Sequence, residues 1–334
     1  GTGHAPRPGA VPLRAACRRG PLGRSAIDTH GSPTPSSTLD ALAGTDAWLL
    51  GPHDSAAYPE PYKSQLNPSG TIRKHFGLFA NIRPAKAFDG ARSIVPGTDL
   101  VIVRENTQGF YADRNTYAGT GEFMPDANTA IAMGIITRDA VEKIARTAFE
   151  LAQARRGKLT IVHKANVLRL TTGLFRDVCR EVGQQFPDVE VDDFHIDAMT
   201  VHLVRRADKF DVIVTENMFG DILSDLAGEI AGSLGIAPSI NASLDRAMAQ
   251  ASHGSAPDIA GRNIANPIAM ILSAGMLLQW LGAKHNDAAL IKAAELIETG
   301  VNATVTSGTV TPDMGGHAGT SDFGSAVAKS ISGS

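Results

Sequence analysis

Apolar residues recur at spacings of three and four between Thr137 and Arg156, where Val141, Ile144, Ala145, Ala148, Leu151 and Ala152 share one face and Arg and Glu occupy the other. That period predicts an amphipathic helix ended by Gly157. Short continuous apolar runs predict buried strands at Asp46–Gly51, Leu78–Arg83, Asp99–Arg104, Lys158–His163, Val189–Phe194 and Val212–Val214. Between them the spacing predicts helices at Thr38–Gly44, Thr71–Phe76, Leu174–Phe186 and Ala198–Arg205. Two longer helices are predicted at Pro267–Leu281 and Ala288–Val301, after a Gly/Ala/Ser-rich stretch that follows residue 232. Residues 28–37, 52–70 and 105–125 carry the Pro, Gly and Ser of loops. Strands alternating with helices imply an α/β fold with parallel-rich sheets flanked by helices.

The length of 334 residues suits two domains or one large α/β unit. A net charge of −3 and an aromatic content of 5% give no reason to expect a nucleic-acid partner. No apolar run is long enough for a membrane span. Two cysteines, Cys17 and Cys179, with no Cys/His cluster, exclude a zinc site or disulfide framework and fit a reducing, cytoplasmic setting. Residues 1–25 hold five Arg and no acid, broken by Gly and Pro. They predict no helix or strand and read as a segment outside the fold.

The stretch Phe210–Glu229 runs from an apolar strand through Glu216-Asn217 into a helix carrying Asp221 and Asp225. Four residues apart, the two acids share a helix face and repel, which is most readily tolerated with a cation between them. Ligand sites in α/β folds gather beyond the carboxyl ends of strands. Arg83 and Arg104 end strands, Lys164 and Asn166 follow one, and Asp197 follows another. With Arg73, the arginines suit a small polyanion, which their planar forks can hold bidentately. Asp197, Asp221 and Asp225 form an oxygen-only set suited to Mg²⁺ or Mn²⁺. The turn His253-Gly254-Ser255-Ala256-Pro257-Asp258 lets backbone approach a ligand, and its acid could accept from both hydroxyls of a ribose, favouring NAD. No GxGxxG follows a strand.

Together the stretches LFANIRPAKAF (78–88), VIVRENTQGFY (101–111), HKANVL (163–168), HIDAM (195–199), NMFGDILSDLA (217–227), HGSAPDIAG (253–261) and NPIAMILSAGMLL (266–278) resemble the isocitrate/isopropylmalate dehydrogenase family, over about Asp28 to Gly324. The resemblance implies a two-domain fold, with residues 1–78 and 232–334 on the cofactor side and 79–231 forming the dimerisation and metal/substrate domain. It implies that Arg73, Arg83 and Arg104 hold substrate carboxylates and that Tyr111 and Lys164, supported by Asn166, are the acid/base pair. Asp221 and Asp225 would bind Mg²⁺ or Mn²⁺ with Asp197 of the second subunit of a homodimer, which would also lend Lys164. His253, Asp258 and Asn266, with the turn residues Gly254, Ser255 and Ala256, would contact NAD; NADP-dependent members have a Lys-Tyr pair where this chain has Asp258-Ile259.

The implied activity is oxidative decarboxylation of a 3-substituted (2R)-malate, a small hydroxy di- or tricarboxylate, with 3-isopropylmalate leading and isocitrate, homoisocitrate, tartrate or D-malate as alternatives. Two departures bear on it. No Gly-Asp-Gly-Ile-Gly-type turn precedes Asp28, which raises the alternative of an inactive metal- or dicarboxylate-binding dimeric homologue. Before Arg73, where isopropylmalate enzymes place a glutamate and two leucines, stand Leu66, Asn67, Ser69 and Ile72. Ser69 or Asn67 could there hydrogen-bond a polar substituent.

Overall fold

A computed structural model describes residues 19–111, 113, 115, 116 and 119–333. Its centre is one eight-stranded sheet in the order β1-β10-β9-β2-β3-β8-β6-β7. The strands are β1 (Ala47–Leu49), β2 (Ala80–Lys86), β3 (Asp99–Glu105), β6 (Lys158–His163), β7 (Glu190–His195), β8 (Val212–Thr215), β9 (Ile240–Ala242) and β10 (Ala247–Ala249). The β3–β8, β8–β6, β6–β7 and β1–β10 pairs are parallel, whereas β9 and β2 pair antiparallel with their neighbours. The sheet is continuous across the expected domain division, because β2 pairs with β9. A separate antiparallel hairpin joins β4 (Glu122–Asp126) to β5 (Thr129–Ala132).

Helices cover both faces. α4 (Arg138–Ala154) buries the face that its spacing predicts, including Ile144, Ala148 and Phe149, against Val101, Val103, Leu159 and Val212. Burying a large side chain such as Ile144 or Phe149 stabilises the fold by roughly 1.5–3 kcal/mol. Thr137 caps α4 by accepting from the Ala140 amide. α5 (Thr171–Gly183) packs on the same side. α6 (Ile196–Arg206) and α7 (Asn217–Ala231) cover the opposite face, where Met199, Leu203, Leu223 and Ile230 meet Leu100, Ile102 and Ile213. α8 (Ile268–His285), α9 (Ala288–Thr306) and α10 (Thr320–Gly333) complete that layer. None of the helices among the described residues is long and apolar enough to cross a membrane.

The structure corrects the expectation for residues 1–25 where it describes them. α1 (Arg24–His30) buries Ala26 and Ile27, Leu22 packs against Trp48 and Leu50, and the Pro21 carbonyl accepts from Thr38 Oγ1 at 2.7 Å. Segment 28–37 is likewise not all loop, since α1 ends at His30 and α2 (Ser36–Ala43) begins at Ser36. Residues 1–18, with Cys17, lie outside the described residues. Five further helices and strands were not expected, one of them α10, whose Gly- and Ser-rich sequence hides its period. β4, β5, β9 and β10 are three to five residues long, too short to show a period.

Candidate active site

Antiparallel pairing of β2 and β3 sets Asn81 opposite Arg104 and Arg83 opposite Ile102. Alternation then puts Asn81, Arg83 and Arg104 on one face, the face that α7 covers. The start of α7 is fixed by Glu216, whose buried carboxylate accepts from the Met218 and Phe219 amides at 3.0 and 2.9 Å. Gly220 is needed because a Cβ there would lie 2.6 Å from the Arg104 side chain. Helix and arginine are thus in van der Waals contact, and Asp221 follows directly.

Arg104, 2% exposed, donates through Nε and Nη2 to Asn217 Oδ1 at 2.9 and 2.6 Å and through Nη1 to Asp221. Arg83 Nη1 reaches Asp221 at 3.2 Å, Asp225 at 3.5 Å and Ser224 Oγ at 2.7 Å. The cation between the two i,i+4 acids is therefore a guanidinium of the chain itself. Tyr111 donates its hydroxyl to Asp221, and the Arg104 guanidinium lies 5.2 Å from its ring centroid. The loop reaches Tyr111 through Gly109, whose φ of +83° lies in the left-handed region. Arg73, on α3 (Pro68–His75), donates to Asn106 Oδ1 at 3.3 Å and Gln250 Oε1 at 3.4 Å.

These contacts split the two acids. Burial raises the Asp221 carboxyl, but Arg104, Arg83 and the Tyr111 hydroxyl together hold it below the usual carboxylate range. Burial raises Asp225 above that range, Arg83 opposing and Asp221 reinforcing the shift. Burial and the neighbouring Arg104 charge bring Arg83 down to about 10.

Lys164 and Asp197 lie elsewhere, at the ends of β6 and β7, and pair with each other at 2.5 Å. Asn166 is exposed on the turn after Lys164. Among the described residues no group of three or more His, Cys, Asp or Glu could hold a metal ion. Asp221 and Asp225 are 37% and 54% exposed, and their hard oxygens fit Mg²⁺ or Mn²⁺, but one chain does not add Asp197 to them.

The loop after β10 begins at Gln250, the Arg73 partner, and carries the predicted turn. Ala256 adopts φ +43°, a Cβ at Gly254 or Gly261 would meet nothing, and Asp258 is exposed. His253 Nδ1 donates to the Gly254 carbonyl at 2.8 Å, leaving a buried Nε2 acceptor without a partner. An open turn with an orphaned acceptor and a free carboxylate fits a nucleotide bearing an amine and hydroxyls. Asn266 is held by Asp313 at 2.9 Å and accepts from the Ile268 amide at 3.0 Å.

The residues before Arg73 differ from expectation. Asn67 caps α3, accepting from the Gly70 amide at 2.8 Å, Ser69 donates to Gln250 Oε1 at 2.8 Å, and Ile72 is buried with Trp48 and Leu78. The buried amides Asn81, Asn106, Asn217 and Asn241 and the half-buried Gln250 were given no role from the sequence. Asn106 ties the site together, donating to the Leu78 carbonyl and to Asn241 Oδ1, both at 3.0 Å. A polar residue ending a buried strand is the one signal that could have found Asn106 and Asn217.

Residues 9–327 match the family model for isocitrate/isopropylmalate dehydrogenase. The 3-isopropylmalate dehydrogenase of Archaeoglobus fulgidus is 43% identical over 307 residues, 92% of this chain and 87% of that protein. An isocitrate/homoisocitrate dehydrogenase of Thermus thermophilus is 42% identical, with 92% and 87% covered. The crystal structure of isocitrate dehydrogenase from Methylococcus capsulatus superposes with a TM-score of 0.83 at 37% identity, covering 93% of this chain and 89% of that one. Motif order, sheet topology and these matches agree, and the chain belongs to the isocitrate/isopropylmalate dehydrogenase family.

Proposed function

We propose that this chain catalyses the NAD-dependent, divalent-metal-dependent oxidative decarboxylation of a 3-substituted (2R)-malate as a homodimer. The observation that carries the reading is the charge arrangement on α7. Arg73, Arg83 and Arg104 act on Asp221, and Arg83 and Arg104 act on Asp225, so guanidiniums outnumber this pair of carboxylates before any divalent cation is added. A hydroxy di- or tricarboxylate complements that site, and its carboxylates can take the guanidinium forks now turned to Asp221 and Asn217.

Lys164 of the second copy takes the C2 hydroxyl proton as the hydride leaves C2. The C3–carboxylate bond then breaks, releasing CO₂ and leaving its electron pair in an enolate. Tyr111 delivers a proton to C3, and the arginines hold the remaining carboxylates in place. When bound, NAD would supply the hydride acceptor, and Mg²⁺ or Mn²⁺ held by Asp221, Asp225 and the second copy's Asp197 would supply Lewis-acid stabilisation of the C2 oxygen. His253, Gly254, Ser255, Ala256, Asp258 and Asn266 form the proposed adenosine site.

Support for the second copy comes from the surface. Val167 and Leu170 beside Lys164, Val201 and Val204 on α6, Ile222 on α7 and Met124 on β4 are apolar and exposed. An apolar surface of this kind is normally covered by a partner.

Relatives at about 40% identity named for 3-isopropylmalate favour that substrate. A second reading, a polar substituent as in isocitrate or tartrate, is favoured by the burial of Ile72, which removes it as a contact for an isopropyl group. The test is NADH absorbance with NAD⁺, Mg²⁺ or Mn²⁺ and a panel of (2R)-malates. Turnover is expected with one of them. A folded dimer that turns over none would overturn the enzyme reading and leave a metal- or dicarboxylate-binding homologue.

A further inference from the structure

We propose that His163 is a positioning residue for the Lys164/Asp197 pair, an inference that rests on the reading of Lys164 as the base. His163 ends β6 in register with His195 on β7, and its ring is 2% exposed. Its Nδ1 accepts from the Ala165 amide at 3.1 Å, so the proton sits on Nε2 and is donated to Asp193 Oδ1 at 2.8 Å. Asp193 Oδ2 accepts from Arg180 on α5 at 2.5 Å. The His195 ring stands edge-on at 5.3 Å. Asp193, His195 and Arg176 are the charged or titratable groups that act on the imidazole, and Arg180 reaches it only through Asp193.

Two constraints result. The Asp193 bond ties the ends of β6 and β7 together, and Lys164 and Asp197 leave from those two ends. The Ala165 bond fixes the backbone on the far side of Lys164, while the Lys164 amide donates to Thr172 Oγ1 at 3.1 Å. Lys164 is thereby clamped on both sides, and only one neutral tautomer of His163 makes both of its bonds. Core packing alone does not call for this residue. Along β6 the same face carries Leu159 and Ile161, which join the apolar cluster around α4 and α5. The polar network appears only at the position preceding Lys164.

The Nδ1 bond is the one that holds Lys164, so two near-isosteres separate the roles. Asn places an oxygen near Nδ1 and keeps the acceptor for the Ala165 amide; Gln places a nitrogen near Nε2 and keeps the donor to Asp193. The experiment compares wild type, H163N, H163Q and H163F in the full chain. It reads kcat and KM, dimer mass, melting temperature, and the rate of Lys164 acetylation by an N-hydroxysuccinimide ester, followed by peptide mass spectrometry without substrate. For H163F kcat falls on the order of a hundredfold, as for a misplaced reacting group, with an unchanged KM for NAD. H163N retains more kcat than H163Q, and Lys164 is acetylated several-fold faster in H163Q than in H163N. Equal kcat and equal acetylation in H163N and H163Q dimers would overturn the proposal, as would wild-type values in H163F. Should the wild-type chain turn over no malate, the base assignment fails separately. The acetylation rates then still decide whether His163 positions Lys164.

Discussion

The arginine–aspartate cluster on α7 and the Lys164/Asp197 pair hold the same kinds of residue in opposite circumstances. Arg83 and Arg104 are buried, multiply hydrogen-bonded and locked to Asp221 by strand register and by the missing Cβ of Gly220. Lys164 and Asp197 form a single ion pair at strand ends, with Asp197 68% exposed and Val167 and Leu170 uncovered nearby. On our reading substrate carboxylates need fixed forks, and all the arginines of the first region come from one chain. Proton transfer needs a group brought to the substrate, and on our reading the second region is completed across a dimer interface.

The largest expected effect comes from removing the base. Lys164→Ala should lower kcat by roughly 10²–10⁴-fold, with the dimer intact by light scattering. Wild-type turnover would break the division of labour. The metal pair comes next. Adding Mn²⁺ should raise the melting temperature of the wild-type chain, because ligand binding to the folded state stabilises it, and should not do so for Asp225→Asn. In EDTA the same variant should melt slightly above wild type, since it removes a carboxylate that burial disfavours in its ionised form.

The pH dependence has a definite sign. Asp221 titrates below its ordinary value in the folded chain, so the stability from its arginine pairing is present above the unfolded carboxyl range. It is lost as pH falls through the lower folded value. A metal-free melting series from pH 7 to pH 3 should show this loss, and Asp221→Asn should flatten the acid limb. The smallest effect concerns His53. Both its ring nitrogens are buried without a partner, and burial first, then the Arg73 charge, keeps it neutral by lowering its pKa. His53→Leu should raise stability by about 1 kcal/mol, the size of a removed unsatisfied polar group, measured by urea denaturation.

Much of the first region was legible in the chain. The continuous apolar runs of β3, β6 and β8 and the period of α4 announce themselves, and the place of Arg104 near the end of β3 follows from them; Arg83 was expected to end its strand, but β2 runs on to Lys86 and Arg83 sits at its middle. Asp221 and Asp225 were recognisable as like charges in need of a cation, though the structure fills that place with Arg83. What escaped was short or indirect. β9 and β10 span three residues each, so Gln250 at the end of β10 could not be tied to Arg73. The cap made by Asn67 and the burial of Ile72 depend on where α3 starts, a boundary that periodicity places only within a few residues. Residues 21–27 lack a period because Gly and Pro interrupt them, yet Leu22 and Ile27 still find apolar partners once the sheet is built.

Subunit complementation tests the central claim, that each site draws Lys164 from the second copy. Lys164→Ala and Asp221→Ala chains, each inactive alone, are mixed, unfolded and refolded together. Random pairing yields hybrid dimers in which one site carries both defects and the other carries none, so about a quarter of wild-type activity should return. A mixture no more active than its two parents, with hybrid dimers verified by mass, would contradict the account.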